Sequence, residues 1–184
     1  MKTIKVDRKD LVGTIWLDSP HNYNAISFRM IDELNLLFTS FDKDPEVKII
    51  LLRSKHPKFF CSGGDFKDVI LNFPNDRNNG PRLFSLLKVM RSVKKPLISV
   101  VDGAALGGGF ELCLLTDIII SSDKGYFSLP ELKHGLVPGM GGNQHLTRIV
   151  GTKLASKLIF TGDVIPASEA ARLNIAHVYP SDKF

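Results

Sequence analysis

The chain has little cysteine: two in 184 residues, Cys61 and Cys113. They form no C-x-x-C pair, so no disulfide framework is suggested, and a reducing, intracellular setting is expected. Histidine is also sparse. His21, His56, His134, His145 and His177 fall at no ligand spacing, so no metal site is expected. No apolar run reaches the length of a membrane span, because Asp, Glu or Gly breaks each one. The opening "MKTIKVDRKDLVG" is too polar for a signal peptide. A cytoplasmic protein without a membrane partner is the expectation. Low-complexity tracts and linkers are lacking as well.

The composition that is present, 43% hydrophobic and 23% charged, belongs to a folded globular chain. Its length suits one domain over residues 1–184. The net charge is +5, but the basic residues are scattered, as in "KHPK" and "RSVKK". No dense basic helix forms, so nucleic acid is not expected as a partner. Solvated faces explain most of this charge, and a surface suited to an anionic ligand is the functional alternative.

Periodicity gives the elements. "TIKVDR" and "LVGTIWLD" alternate as two strands around a turn. Met30, Ile31, Leu34, Leu37, Phe38 and Phe41 recur at helical spacing behind Ser27, a suitable N-cap. "VKIILLRS" predicts a buried strand, "FFCSGGDF" a short strand and a glycine turn, and "FKDVILNF" a helix. "PNDRNNGP" predicts a mobile polar loop. "RLFSLLKVMRSV" predicts a helix and "PLISVVDG" a strand. "TDIIISSD" and "YFSL" predict strands, and "PELKHGLVPGMGG" an irregular loop. Helices follow at "NQHLTRIVG" and "TKLASKLIFTG", then a short helix and a strand in "SEAARLNIAHVYP". Strand–strand–helix units recur weakly, which suggests an α/β domain of stacked, similar layers.

One stretch, "VDGAALGGGFELCLLTDIII", pairs three glycines with a carboxylate in apolar surroundings. Glycine weakens a helix, and a carboxylate is unfavourable there unless partnered. Glycines at a strand-to-helix turn let a ligand approach free backbone N–H groups. Tight helix–strand packing explains them equally well. Neither G-x-G-x-x-G nor the P-loop pattern is present. A second glycine turn, Gly63 and Gly64 before Asp65, also follows a strand. One donor from each turn could meet at a single oxygen as an oxyanion hole, although spacing does not show convergence. Glu111 lies early in its helix, and Glu131 follows Pro130 at the next irregular corner. Two carboxyls near one pocket can divide into acid and base. Each could instead cap backbone or pair with a lysine such as Lys133. "CSGGD" is not the G-x-S-x-G of serine nucleophiles, so Ser62 is not expected to act as one.

Together, "KKPLISVVDGAALGGGFELCLLTDIIISSD", "FSLPELKHGLVPGMGGNQHLTRIVG", "FTGDVIPASEA", "NAIS" and "KFFCSGGDF" resemble the crotonase superfamily of enoyl-CoA hydratases and isomerases. The resemblance implies the crotonase-like α/β fold, a spiral of stacked ββα units. It also implies fatty acid metabolism and a thioester ligand carried on coenzyme A or an acyl carrier protein, with no separate cofactor. The N–H groups of Gly64 and Gly108 match the oxyanion donors. Glu111 matches the base that activates water and Glu131 the acid that protonates the α-carbon. Gly139 matches a backbone group that helps hold the water. Lys58 with Ser62, Gly63, Gly64 and Asp65 matches the CoA-binding segment. "FKDVILNF" is implied to shape the acyl pocket. Tyr23, Asn143 and His145 depart from the usual pattern. The chain stops short of the C-terminal helices that complete the family's pocket and its trimer or dimer of trimers. The leading expectation is hydration of a 2-enoyl thioester. An enoyl-CoA isomerase, an acyl-carrier-protein-linked crotonase of polyketide assembly and a catalytically silent crotonase-fold binding protein are the alternatives.

Overall fold

A computed structural model describes residues 2–71 and 79–184. The first strand, β1 (Ile4–Lys9), pairs antiparallel with β2 (Val12–Leu17) around Asp10, which takes a left-handed φ of 53°. Gly13, Ile15 and Leu17 of β2 are buried while Val12, Thr14 and Trp16 are half-buried, the period-two alternation expected. Helix α1 (Phe28–Lys43) follows, capped by the Ser27 side chain accepting from Met30 N–H at 3.2 Å. Its buried residues include Met30, Ile31, Leu34, Leu37 and Phe38, so the apolar stripe faces the core.

Strand β3 (Ile49–Ser54) pairs parallel with β2. A short strand, β4 (Phe59–Cys61), then leaves this sheet. "FKDVILNF" begins as one π-helical turn, Phe66–Leu71; its last two residues lie outside the described residues. Of "PNDRNNGP", expected as a mobile loop, residues 74–78 lie outside them too, but Asn79, Gly80 and Pro81 belong to helix α2 (Asn79–Ser92), which starts earlier than "RLFSLLKVMRSV" predicts; a proline is tolerated in the first helical turn because its missing N–H needs no partner there.

The stretch "PLISVVDGAAL" divides into two strands, β5 (Leu97–Val101) and β6 (Ala104–Leu106), in different sheets. Gly103 makes the corner at φ 121°, where a Cβ would stand 2.4 Å from Lys58 O. Helix α3 (Gly108–Leu114) leads to β7 (Ile118–Ser122) and β8 (Tyr126–Ser128). The remaining elements are α4 (Gly142–Val150), α5 (Thr152–Thr161), β9 (Ile165–Pro166), α6 (Ala167–Arg172) and β10 (His177–Tyr179).

Two sheets result. The larger runs β1-β2-β3-β5-β7-β10, parallel after the first hairpin, and the smaller runs β4-β6-β8-β9. Each successive layer thus gives one strand to each sheet: β3 and β4, β5 and β6, β7 and β8. Apolar residues of both sheets and the helices form one continuous core, including Phe38, Phe60, Phe110 and Phe127 at zero exposure. No helix among the described residues is long and apolar enough to cross a membrane.

Candidate active site

The small sheet brings the singled-out residues together. Strands β4, β6 and β8 are parallel neighbours, so their C-terminal ends lie on one edge. The Gly63–Gly64 turn leaves β4 there, the Gly107–Gly108 turn leaves β6, and Glu131 follows β8. Gly107 N–H donates to Ser128 C=O at 2.9 Å, which ties the second and third of these turns.

The two glycine turns touch. A Cβ built on Gly108 would lie 3.4 Å from Gly64 N, and one on Gly63 would lie 3.8 Å from Gly107 Cα. With standard backbone dimensions, this puts the Gly64 and Gly108 nitrogens within about 6 Å of each other. One oxygen accepting from both at ~2.9 Å spans that separation. Neither N–H donates to any described residue. Gly108 opens α3, so its N–H has no partner within the helix. Ile26 Cδ1 and Met140 Cε flank the same space, 3.2 and 3.3 Å from the Gly108 Cβ position.

Gly109 has the packing role that sequence left as an alternative for the glycines. A Cβ there would stand 2.4 Å from Cys61 O, so α3 lies directly on β4. That contact brings the start of α3 down onto the Gly63–Gly64 turn.

The two glutamates sit in different surroundings. Glu111 is buried and accepts three backbone N–H groups from one loop. Oε1 takes Met140 and Gly142, each at 2.8 Å, and Oε2 takes Gly139 at 3.3 Å. Burial raises its pKa, while the three donors oppose that rise. A carboxylate offers about four acceptor positions. Three are engaged, and the free one is on Oε2, beside Gly139. Glu131 is half-buried, and both of its oxygens are shielded with no hydrogen-bond partner among the described residues. Burial, reinforced by the Glu111 charge, pushes it up to about 7. Its Oε1 faces Gly107, 3.2 Å from that residue's Cβ position. Lys133 does not pair with it; its Nζ donates to Gly162 C=O at 3.1 Å.

The other singled-out residues are dispersed. Ser62 Oγ donates to Asn22 C=O at 3.3 Å, and Gly63 C=O accepts Ile26 N–H at 2.7 Å. Asp65 turns its carboxylate to the protein: Oδ2 accepts Asn22 Nδ2 at 3.2 Å, and Oδ1 accepts the N–H groups of Lys67 and Asp68. Lys58 is exposed, at the end of β4 away from the glycine turn. Gly139 is exposed beside Glu111. Two clefts lie elsewhere, one of about 480 Å³ along Ile118, Ile149 and His177, the other of about 280 Å³ at Trp16, Arg53 and Asp102. None of Gly64, Gly108, Glu111 or Glu131 lines either. Sequence reasoning missed Met140 and Gly142 as donors, although "PGMGG" carried the signal of a loop with free N–H groups. "SPHNYNAIS" is turn-rich by composition, and the Pro20–Asn22 turn lies within it; only its contact with Ser62 gives no sign in the sequence.

The family model described as "Enoyl-CoA hydratase/isomerase" matches residues 7–184. The chain belongs to the enoyl-CoA hydratase/isomerase family. It is 40% identical over 170 residues to a probable enoyl-CoA hydratase, echA8, of Mycobacterium leprae, covering 92% of this chain and 65% of that protein. It is 37% identical over 172 residues to the mitochondrial enoyl-CoA hydratase of Pongo abelii, covering 93% and 58%. The crystal structure of an enoyl-CoA hydratase from Bacillus anthracis superposes with a TM-score of 0.90 at 29% identity, covering 98% of this chain and 71% of that one. The fold is therefore the crotonase fold of the family, as the sequence motifs imply. The chain spans between 58% and 71% of the lengths of these three proteins.

Proposed function

We propose that this family member adds water across the double bond of a 2-enoyl thioester. The observation that carries the reading is the meeting of two free backbone donors with two carboxyls of unlike environment. The thioester carbonyl accepts from Gly64 and Gly108, which draws charge onto oxygen as the α-carbon takes on enolate character. Water sits between Oε2 of Glu111 and the adjacent loop. Glu111 takes a proton from it as the oxygen bonds to the β-carbon. Glu131, pushed up to about 7 and so about half protonated at neutral pH, gives its proton to the α-carbon. One water is consumed, and a proton returns from Glu111 to Glu131 through solvent before the next cycle. Loss of one oxyanion donor in such a site typically raises a barrier by ~3 kcal/mol.

CoA fits the family's thioester chemistry, and an acyl carrier protein offers the same thioester. Lys58 and the Ser62–Asp65 segment are the candidate contacts for the carrier, with Ser62 and Gly63 acting through backbone. Asp65 acts from behind the turn.

Falling ultraviolet absorbance of crotonyl-CoA tests hydration. Glu131→Gln is expected to slow turnover by at least about 100-fold. An inert wild type, or a Glu131→Gln enzyme as fast as wild type, would end the hydratase reading. A second reading has one specific support. Three protein donors already engage Glu111, and Glu131 is the carboxyl without a partner. A single shuttle carboxylate suits an isomerase moving a double bond from the 3- to the 2-position. That reading predicts rising absorbance with a 3-enoyl thioester, and activity that survives Glu111→Gln.

A further inference from the structure

The turn before α1 has an uncommon backbone. A 3₁₀ turn, Pro20–Asn22, is followed by Tyr23 and Asn24, both left-handed at φ 56° and 58°. Side-chain-bearing residues seldom adopt this conformation. Asn24 holds it in place. Fully buried, it accepts Ser19 N–H at 2.7 Å through Oδ1 and donates from Nδ2 to Ser54 Oγ at 2.8 Å and Phe60 C=O at 3.1 Å. The turn is thereby fastened to β3 and β4.

From there it grips the Gly64 turn on both sides. Ser62 N–H donates to Tyr23 C=O at 3.1 Å, and Asp65 N–H donates to Ile26 C=O at 2.9 Å. Between them, Ile26 N–H donates to Gly63 C=O at 2.7 Å. This last contact fixes direction. In a planar trans peptide the C=O and the following N–H point opposite ways. Anchoring Gly63 C=O on Ile26 therefore turns Gly64 N–H away from the turn and leaves it free. The one side chain of the turn that closes this clamp on the far side is Asn22. Its Nδ2 donates to Asp65 Oδ2 at 3.2 Å, while Asp65 Oδ1 holds Lys67 N–H and Asp68 N–H at 3.1 and 3.0 Å. Asp65 cannot swing without releasing the first N–H groups of the Phe66–Leu71 turn.

We propose that Asn22 is a positioning residue that acts through Asp65 to set the direction of the Gly64 N–H; this rests on the reading of Gly64 as an oxyanion donor. Asn22→Asp opposes two carboxylates and breaks the clamp. The exchange Asn22→Asp with Asp65→Asn rebuilds the bond with donor and acceptor reversed, and leaves an amide oxygen for Lys67 and Asp68. On crotonyl-CoA, Asn22→Asp is expected to lower kcat by about 10- to 100-fold with KM changed less than about threefold, the range set by misplacing a catalytic group without removing it. The exchange is expected to recover kcat to within about threefold of wild type. The Gly64 amide resonance and its hydrogen-exchange rate are expected to move in Asn22→Asp and return in the exchange. If Asn22→Asp does not fold, Asn22→Ala is read against the exchange in the same two measurements. Wild-type kcat and an unmoved Gly64 amide in the single variant would overturn the proposal, as would a loss that the exchange does not recover. An inert wild type removes the hydratase reading alone, because the amide measurement needs no turnover.

Discussion

Replacing Glu131 by glutamine should stabilise the protein at high pH while slowing the proposed hydration. Both carboxyl oxygens are shielded and unpartnered, and burial lifts the group from an ordinary 4.5 to about 7. Its folded pKa therefore lies above its unfolded one. Below pH 4.5 both states are protonated and ionisation costs the fold nothing. Between 4.5 and 7 the unfolded chain ionises first, so stability falls as pH rises, and it levels off above 7. A displacement of this size corresponds to ~3 kcal/mol at full burial. The residue as a whole is only half-buried, so about 2 kcal/mol is the working figure. Glutamine has nearly the same shape and no charge, and its side-chain oxygen can face the residue's own N–H as the carboxylate does. Urea unfolding at pH 4.5 and pH 8 reads the effect. Wild type and variant should be nearly equal at the lower pH. At pH 8 the variant should be more stable by about 2 kcal/mol, a Tm gain of about 4–8 °C for a chain of this length. A variant with the same pH dependence as wild type would refute the claim that an unpartnered, ionisable carboxyl stands at this corner.

Glu111→Gln should behave oppositely, because its amide must oppose Gly139 N–H where Oε2 now accepts. A loss of ~1 kcal/mol and faster exchange of the Gly139 amide are expected. Gly108→Ala and Gly109→Ala should separate function from packing. The Gly108 Cβ position meets only the flexible Ile26 and Met140 side-chain ends at 3.2 and 3.3 Å, yet lies 3.4 Å from Gly64 N. That variant should fold, by circular dichroism, and lose turnover about 100-fold. Gly109→Ala meets Cys61 backbone at 2.4 Å and should lower Tm sharply or prevent folding. Cys61 and Cys113 are both fully buried, and burial pushes the Cys61 thiol up to about 12. Neither should react with a thiol reagent until denaturant is added.

What could be read from sequence divides along a physical line. The β2 alternation and the α1 stripe are local and periodic, and both are found where the residues predict them. The break at Gly103 is not periodic. A glycine inside "VVDGAA" gives no sign that the chain changes sheets, because the reason lies in Lys58, a distant residue that a side chain would strike. The same is true of the two-residue strand β9, too short to alternate, which exists only because β8 is beside it. Glu111 was conspicuous because "GGGFELCLL" holds no cation to pair with it. Its actual partners, Gly139, Met140 and Gly142, come from another element and could not be counted from spacing. Asp65 shows the opposite hazard. Matched by family resemblance to a ligand-binding segment, its carboxylate is engaged by three protein donors.

The layered architecture explains why so few residues suffice for the candidate site. Each layer sends one strand to the small sheet, and those strands run parallel, so their exits align on one edge. The first exit offers Gly64, the second Gly108 and the third Glu131. Glu111 joins from the first turn of α3, the helix that the second exit begins. Adjacent strands in a sheet lie only about 4.8 Å apart. Donors placed at equivalent positions on neighbouring exits therefore fall within reach of one oxygen without long side chains. Backbone donors suit this arrangement because the sheet itself sets their position, whereas a side-chain donor would add rotamers to be frozen. The requirement passes to the packing behind the turns: Gly109 must stay bare so that α3 can lie on β4, and Ile26 must hold Gly63 C=O. Substitutions that leave the four named groups intact but shift either contact should thus lose turnover before they lose the fold. Ile26→Ala separates the peptide anchor from the side-chain wall. It keeps the backbone N–H on Gly63 while removing the side chain beside Gly108. If the anchored peptide governs the donor, kcat should fall less than in Gly108→Ala. If kcat instead falls as far, the side-chain wall, not the peptide anchor, sets the donor geometry.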